Sequence, residues 1–89
     1  MNSSELRTAV LKAAEASRML VDLRPNQIRE FESGTCDIKI TQLNFESLAV
    51  IEFCLILEEE FGHSIPARRF YEFKSLQELI DDLETHESN

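Results

Sequence analysis

Two cysteines, two prolines, two glycines and no tryptophan are spread over 89 residues. Cys36 and Cys54 form neither a CxxC pair nor part of a larger set, which excludes a disulfide framework and a thiolate metal centre and points to a reducing, cytoplasmic setting. So few chain breakers argue against a many-turned β-protein and for an all-α domain. No stretch of ~18 apolar residues is present, so no membrane span is expected. The start, MNSSELRTAVLKAAEAS, carries Glu5 and Glu15 and lacks the apolar core of a signal peptide. Cations are scarce too. Nine Lys and Arg against seventeen Asp and Glu leave a net charge of −8, which excludes a basic phosphate-seeking surface and hence nucleic acid, and favours partners with basic patches. The two histidines, His63 and His86, stand in no HExxH or Cys-His arrangement, and there is no GxSxG or glycine-rich phosphate loop. A non-catalytic protein is the expectation.

What is present is 43% hydrophobic residues, enough for the core of one domain spanning 1–89. Leu6, Val10, Ala13, Ser17, Leu20 and Val21 recur at helical spacing and predict a first helix over about 3–21, with Ser3 or Ser4 as cap. Pro25 breaks the pattern, and 22–45 reads as a long loop with room for one helical turn, pinned by Ile38, Ile40 and Leu43. The strongest helix covers 47–61, starting at Ser47 and stopped by Gly62. Its core stripe is Val50, Phe53, Cys54, Leu57 and Phe61. A short third helix over about 66–73 turns Phe70 and Phe73 inward, and Ser75 with Glu78 forms a capping box for a last helix over about 75–84, followed by a polar tail expected to fray.

The helix over 47–61 also has a second apolar stripe, Leu48, Ile51 and Leu55, flanked by Glu52, Glu58 and Glu59. One helix of a small bundle does not easily bury both stripes. Charge is concentrated there as well: 46–66 holds five acids and neither Lys nor Arg. Glutamates at 58, 59 and 60 oppose the helix dipole by roughly 0.3 to 1 kcal/mol each, so something other than helix stability accounts for them.

The string Ile40-Thr-Gln-Leu43-Asn44-Phe45-Glu46-Ser47-Leu48 resembles the L-x-x-L-G-x-D-S-L attachment motif of acyl carrier proteins and the related peptidyl carrier domains. The resemblance continues through LEEEFGHSIP, similar to the family's LEEEF-x-x-x-IP, and on to Ser75-Leu76-Gln77-Glu78, covering about the last half of the chain. It implies a four-helix bundle of acyl-carrier type, with a long loop between the first two helices and a short third helix. It also implies covalent 4′-phosphopantetheine, drawn from coenzyme A by a phosphopantetheinyl transferase and attached to Ser47. The arm's thiol, not Cys36 or Cys54, would hold biosynthetic intermediates as thioesters. Partners implied are an acyl- or aminoacyl-loading ligase and downstream synthases and transferases, met by a monomer through Glu46, Leu48, Ile51, Glu52, Leu55 and Glu59. Independently of the resemblance, a phosphodiester on a serine at a helix N-terminus is favoured by the free N–H groups there.

The chain departs from the family pattern at several positions. Asn44 replaces the motif glycine, a mild change if the residue must be left-handed. Glu46 replaces the motif aspartate and is the poorer cap, which bears on recognition by a general transferase. Ala49 and the Ala67-Arg68-Arg69 run stand where acids are common in the family. These differences suggest a specialised carrier and keep two alternatives open, a peptidyl or aminoacyl carrier and an unmodified carrier-like adaptor. Phe53, Phe61, Phe70 and Phe73 as core suggest a well-filled bundle suited to short or polar cargo.

Overall fold

A computed structural model describes residues 2–62 and 64–87, side chains through 85. It is all-helical, with helices α1 (Ser3–Ala16), α2 (Pro25–Glu32), α3 (Ser47–Phe61), α4 (Ala67–Phe70) and α5 (Leu76–Glu87), plus a 3-10 turn over Ile40–Gln42. α1 packs against α2, α3 and α5, and α4 against α3. Leu6, Val10, Phe53, Leu57, Leu79, Ile80 and Leu83 meet at the centre, with essentially no exposure.

α1 begins differently from the serine cap read in the sequence. Asn2 is the cap, its side chain accepting from the Glu5 N–H at 2.9 Å while Glu5 returns to the Asn2 N–H. It also ends five residues before the expected 21. Arg18 turns left-handed (φ 63°), the Met19 N–H reaches the Ala14 carbonyl at 2.8 Å and the Arg18 N–H reaches Glu15 at 3.0 Å. This pair of bonds is a Schellman stop, built with arginine where glycine is usual. Ser17 is buried, its hydroxyl donating to the Ala13 carbonyl at 2.8 Å. Met19 and Leu20 still reach the core, which kept the apolar spacing helical through a turn that is not, and Val21 is exposed.

The segment over 22–45 is not a plain loop. Pro25 opens α2 rather than breaking a helix, because a first-turn position needs no N–H donor and favours the fixed φ of proline. Gln27 caps the Arg24 N–H at 2.8 Å, and Phe31 is the buried anchor. Gly34, left-handed at φ 82°, lets the chain leave under Arg7, whose guanidinium lies 3.0 Å from where a Cβ would stand. The following stretch is held from two sides. Ile40 N–H donates to Lys74 and Leu76 N–H to Ile38, at 3.0 and 2.9 Å, around an antiparallel bridge between Lys39 and Ser75. Asn44 N–H donates to Met19 at 3.0 Å, and Ile38, Ile40 and Leu43 are buried.

α4 is a single turn, shorter than the 66–73 expected, and α5 runs from Leu76 to Glu87, three residues beyond the expected 84 and into the polar stretch expected to fray. Residues 88 and 89 and His63 lie outside the described residues, and so does the His86 side chain. Ser75 caps α5 by accepting from the Glu78 N–H at 3.3 Å, while Glu78 answers to the Lys74 N–H at 3.1 Å, one residue before the cap. Phe53 and Phe70 cross edge to face at 5.6 Å in the core, whereas Phe61 and Phe73 are only partly buried against it. Arg69 is tied to Asp82 at 2.5 Å and lies over Phe73, so this arginine braces α4 on α5.

A left-handed arginine costs roughly 1 to 2 kcal/mol of backbone strain, which glycine avoids while losing more chain entropy on folding. Arg18→Gly is therefore expected to raise stability by a few tenths to about 1 kcal/mol. A higher urea midpoint at unchanged slope is the check.

Candidate functional site

The buried anchors Ile40 and Leu43 and the Asn44 to Met19 bond fix the chain just before α3. From there Phe45 and Glu46 lead into the helix in extended conformation (Glu46 φ −60°, ψ 147°). Glu46 is the N-cap but its side chain makes no capping bond, so the leading N–H groups of α3 are left without a side-chain acceptor. Ser47 is the first helical residue and is exposed. A hydroxyl here is reachable, and an anion bonded to it sits in the favourable field of the helix start. The side chains therefore fit an attached phosphodiester.

Asn44 does not serve the motif by a left-handed backbone, since Arg18 is the one non-glycine residue with positive φ among those described. Its work is hydrogen bonding: besides the N–H to Met19, its carboxamide reaches the Arg18 carbonyl at 3.4 Å. The two carbonyls at the end of α1 are thereby tied to the start of the attachment segment.

Along α3, Ala49, Val50, Phe53, Cys54 and Leu57 are buried. Leu48, Ile51 and Leu55 remain 69%, 46% and 56% exposed, with Glu46, Glu52 and Glu59 also exposed. Five of the six expected partner-facing residues thus lie on the solvent side of α3, and the sixth, Glu46, is exposed at its N-cap. Glu58 has a different job: its carboxylate accepts from the Ile65 N–H at 2.8 Å and fastens the α3–α4 connection. That bond is the compensation for one of the acids at the wrong end of the helix dipole. Gly62 closes α3 left-handed at φ 75°.

Both cysteines are free thiols. Cys54 is buried beneath α3, and burial, followed by the nearby Glu58 carboxylate, pushes it up to about 11. Cys36 is exposed; desolvation by its neighbours, then the charge and hydrogen bond of Glu30, hold it above the usual thiol value. No cluster of three or more metal-ligating side chains occurs among the described residues. No described helix is long and apolar enough to cross a membrane.

An open groove of ≈ 770 Å³ lies beside the attachment segment, its wall including Lys39, Ile40, Phe45, Tyr71, Phe73 and Lys74. Phe45 and Tyr71 are 45% and 49% exposed, and the Tyr71 hydroxyl donates to the Phe45 carbonyl at 3.3 Å. Sequence reasoning passed over both; the signal was an aromatic at the variable position of the motif. By contrast, the gap under Ile65, Phe73, Leu79 and Leu83 measures ≈ 40 Å³.

A small helical bundle presenting an exposed serine at the start of an acidic, partly apolar-faced helix is the architecture of a carrier domain. Residues 31–83 match the family described as the phosphopantetheine attachment site. The chain is 36% identical over 81 residues to an acyl carrier protein of Thermosynechococcus vestitus, covering 91% of this chain and 90% of that one. No solved structure matches it. The chain therefore belongs to the acyl carrier, phosphopantetheine-binding family, whose cofactor is covalently attached 4′-phosphopantetheine. Members of the family work with phosphopantetheinyl transferases and synthase enzymes.

The thiol chemistry gives a direct expectation for the unmodified chain. With both thiols protonated at pH 8, a disulfide reagent titrates Cys36 slowly and Cys54 only after denaturation. Because Cys54 is raised in the folded state, its contribution to stability is complete below about pH 9 and is lost as pH climbs through about 11. Cys36→Ser should leave a native protein with no titratable thiol, and retention of one contradicts the burial of Cys54.

Proposed function

We propose that Ser47 is the attachment residue and that the protein is a non-catalytic carrier, holding biosynthetic intermediates as thioesters and presenting them to partner enzymes. The observation that carries this reading is the exposed Ser47 hydroxyl at the uncapped start of α3, within a chain of this family. In the modification, the Ser47 oxygen forms a phosphodiester bond to the phosphopantetheine phosphorus as the phosphoanhydride of coenzyme A breaks and adenosine 3′,5′-bisphosphate leaves. The hydroxyl proton passes to the transferase, since no basic side chain among the described residues is hydrogen-bonded to Ser47. When bound, the group supplies a terminal thiol at which acyl cargo is held. The residues of the chain itself hold the tether's base on a rigid helix end and offer the leading N–H groups to its charge.

Docking falls to Glu46, Leu48, Ile51, Glu52, Leu55 and Glu59. The carboxylates steer basic patches of the transferase, of acyl- or aminoacyl-loading ligases and of downstream synthases, while the aliphatic stripe supplies contact. The protein acts as a cytoplasmic monomer, a reading supported by its free thiols and net charge of −8. Short or polar cargo suits it best, because the aromatic core leaves little interior space.

Incubation with coenzyme A and a broad transferase, followed by weighing the intact protein, is expected to show one phosphopantetheine-sized gain that is absent in Ser47→Ala. Repeated failure, including with transferases from the source organism, points instead to an unmodified adaptor, the reading that Glu46 in place of aspartate favours. Separately, Ile51→Asp should fold normally and lower the rate of transfer to a partner at least ~5-fold, the equivalent of about 1 kcal/mol for a lost apolar anchor. Unchanged transfer in a folded Ile51→Asp protein removes α3 from the docking surface.

A further inference from the structure

We infer that the arm carried by Ser47 is stowed outside the helical bundle, in the groove walled by Phe45, Tyr71 and Phe73 and edged by Lys39 and Lys74, an inference that rests on Ser47 being the attachment residue. Reach comes first. Phe45 lines the groove and precedes Ser47 by two residues, so their Cα atoms are at most roughly 7.6 Å apart. The arm therefore starts within reach of the groove's Phe45 wall.

The walls are also fixed before anything binds. Tyr71 is held by its hydroxyl on the Phe45 carbonyl and by its ring edge to face with buried Phe70 at 5.6 Å. The floor is tied by the bonds of Ile40 to Lys74 and Leu76 to Ile38. Two half-exposed aromatic rings on a pre-set frame offer apolar surface whose burial stabilises whatever covers them, by ~25 cal/mol per Å². At ≈ 770 Å³ the groove lies within the roughly 300 to 1,000 Å³ of small-molecule sites.

Its polar groups suit the arm as well. Pantetheine combines amides and a hydroxyl with geminal methyls, behind a phosphodiester. The lining acids are each engaged by backbone donors: Asp37 accepts from the N–H groups of Ile38 and Gln77, and Glu78 from that of Lys74. Lys39 and Lys74 make no ion pair among the described residues. Two ammonium groups with no ion pair among the described residues thus border the groove in a chain of net charge −8, and the phenol of Tyr71 and the hydroxyl of Thr41 add hydrogen-bonding capacity. The alternative route, between the helices, meets the ≈ 40 Å³ gap and the crossed rings of Phe53 and Phe70.

The test starts from full-length protein modified with coenzyme A and verified by intact mass, compared by NMR with the unmodified chain. Contacts between the arm's methyl protons and the rings of Phe45 and Tyr71, with amide shifts at 39–42 and 71–75, are expected. They should be lost in Phe45→Ala and Tyr71→Ala, both of which replace exposed side chains, and kept in Tyr71→Phe. A protein that has gained the mass but shows shifts confined to the residues next to Ser47, or arm contacts to Leu79 and Ile80 instead, overturns surface stowage and leaves the carrier reading standing. Absence of the mass gain removes the carrier reading, and stowage with it.

Discussion

The attachment segment is held in place by backbone hydrogen bonds made on both of its sides. Toward α5 it shares a short antiparallel bridge, Ile40 to Lys74 and Leu76 to Ile38; toward α1 it hangs from the Met19 carbonyl through Asn44. Ile38, Ile40 and Leu43 bury themselves between these two fastenings. A connection of this length would otherwise be a source of disorder, since each unrestrained residue costs roughly 1 to 2 kcal/mol to fix. Fastened at both ends, it delivers Ser47 to the surface at the start of α3 with little freedom left.

α3 then divides its two apolar stripes between two purposes. The heavier one, with Phe53 and Leu57, is consumed by the core; the lighter one, with Leu48, Ile51 and Leu55, remains in solvent at some cost in exposed apolar surface. The acids divide likewise. Glu58 closes the α3–α4 connection through the Ile65 N–H, whereas Glu46, Glu52 and Glu59 stay exposed beside the aliphatic stripe. Reading all the acids of a helix as one surface would miss that division, because position on the turn and not charge alone decides which carboxylate meets a backbone donor.

The arginines show the same separation of roles. Arg69 is occupied with Asp82 and the face of Phe73, and Arg7 covers Gly34 while its Nε donates to the Glu32 carbonyl at 3.3 Å. Arg68 is exposed. The basic groups of this chain are therefore partly scaffold. The groove aromatics Phe45 and Tyr71 are not scaffold in that sense, being exposed and adjacent to the site.

Much of this was legible in the residues. Strong apolar periodicity over 47–61 with glycine behind it specifies α3 by itself, since both stripes and the left-handed stop are local properties. The motif from Ile40 to Leu48, with the downstream LEEEF and Ile-Pro, carried the family. Tertiary structure alone decided where α1 stops, because its terminator is a left-handed arginine stabilised by bonds no pattern reveals, and Met19 and Leu20 keep the helical spacing beyond the end. It also decided that Pro25 starts a helix, that Asn44 acts through hydrogen bonds and that Glu58 is structural. Each of these depends on a partner distant in the chain or on a backbone angle. Periodicity registers neither, so it sees which residues are apolar but not what the polar ones touch.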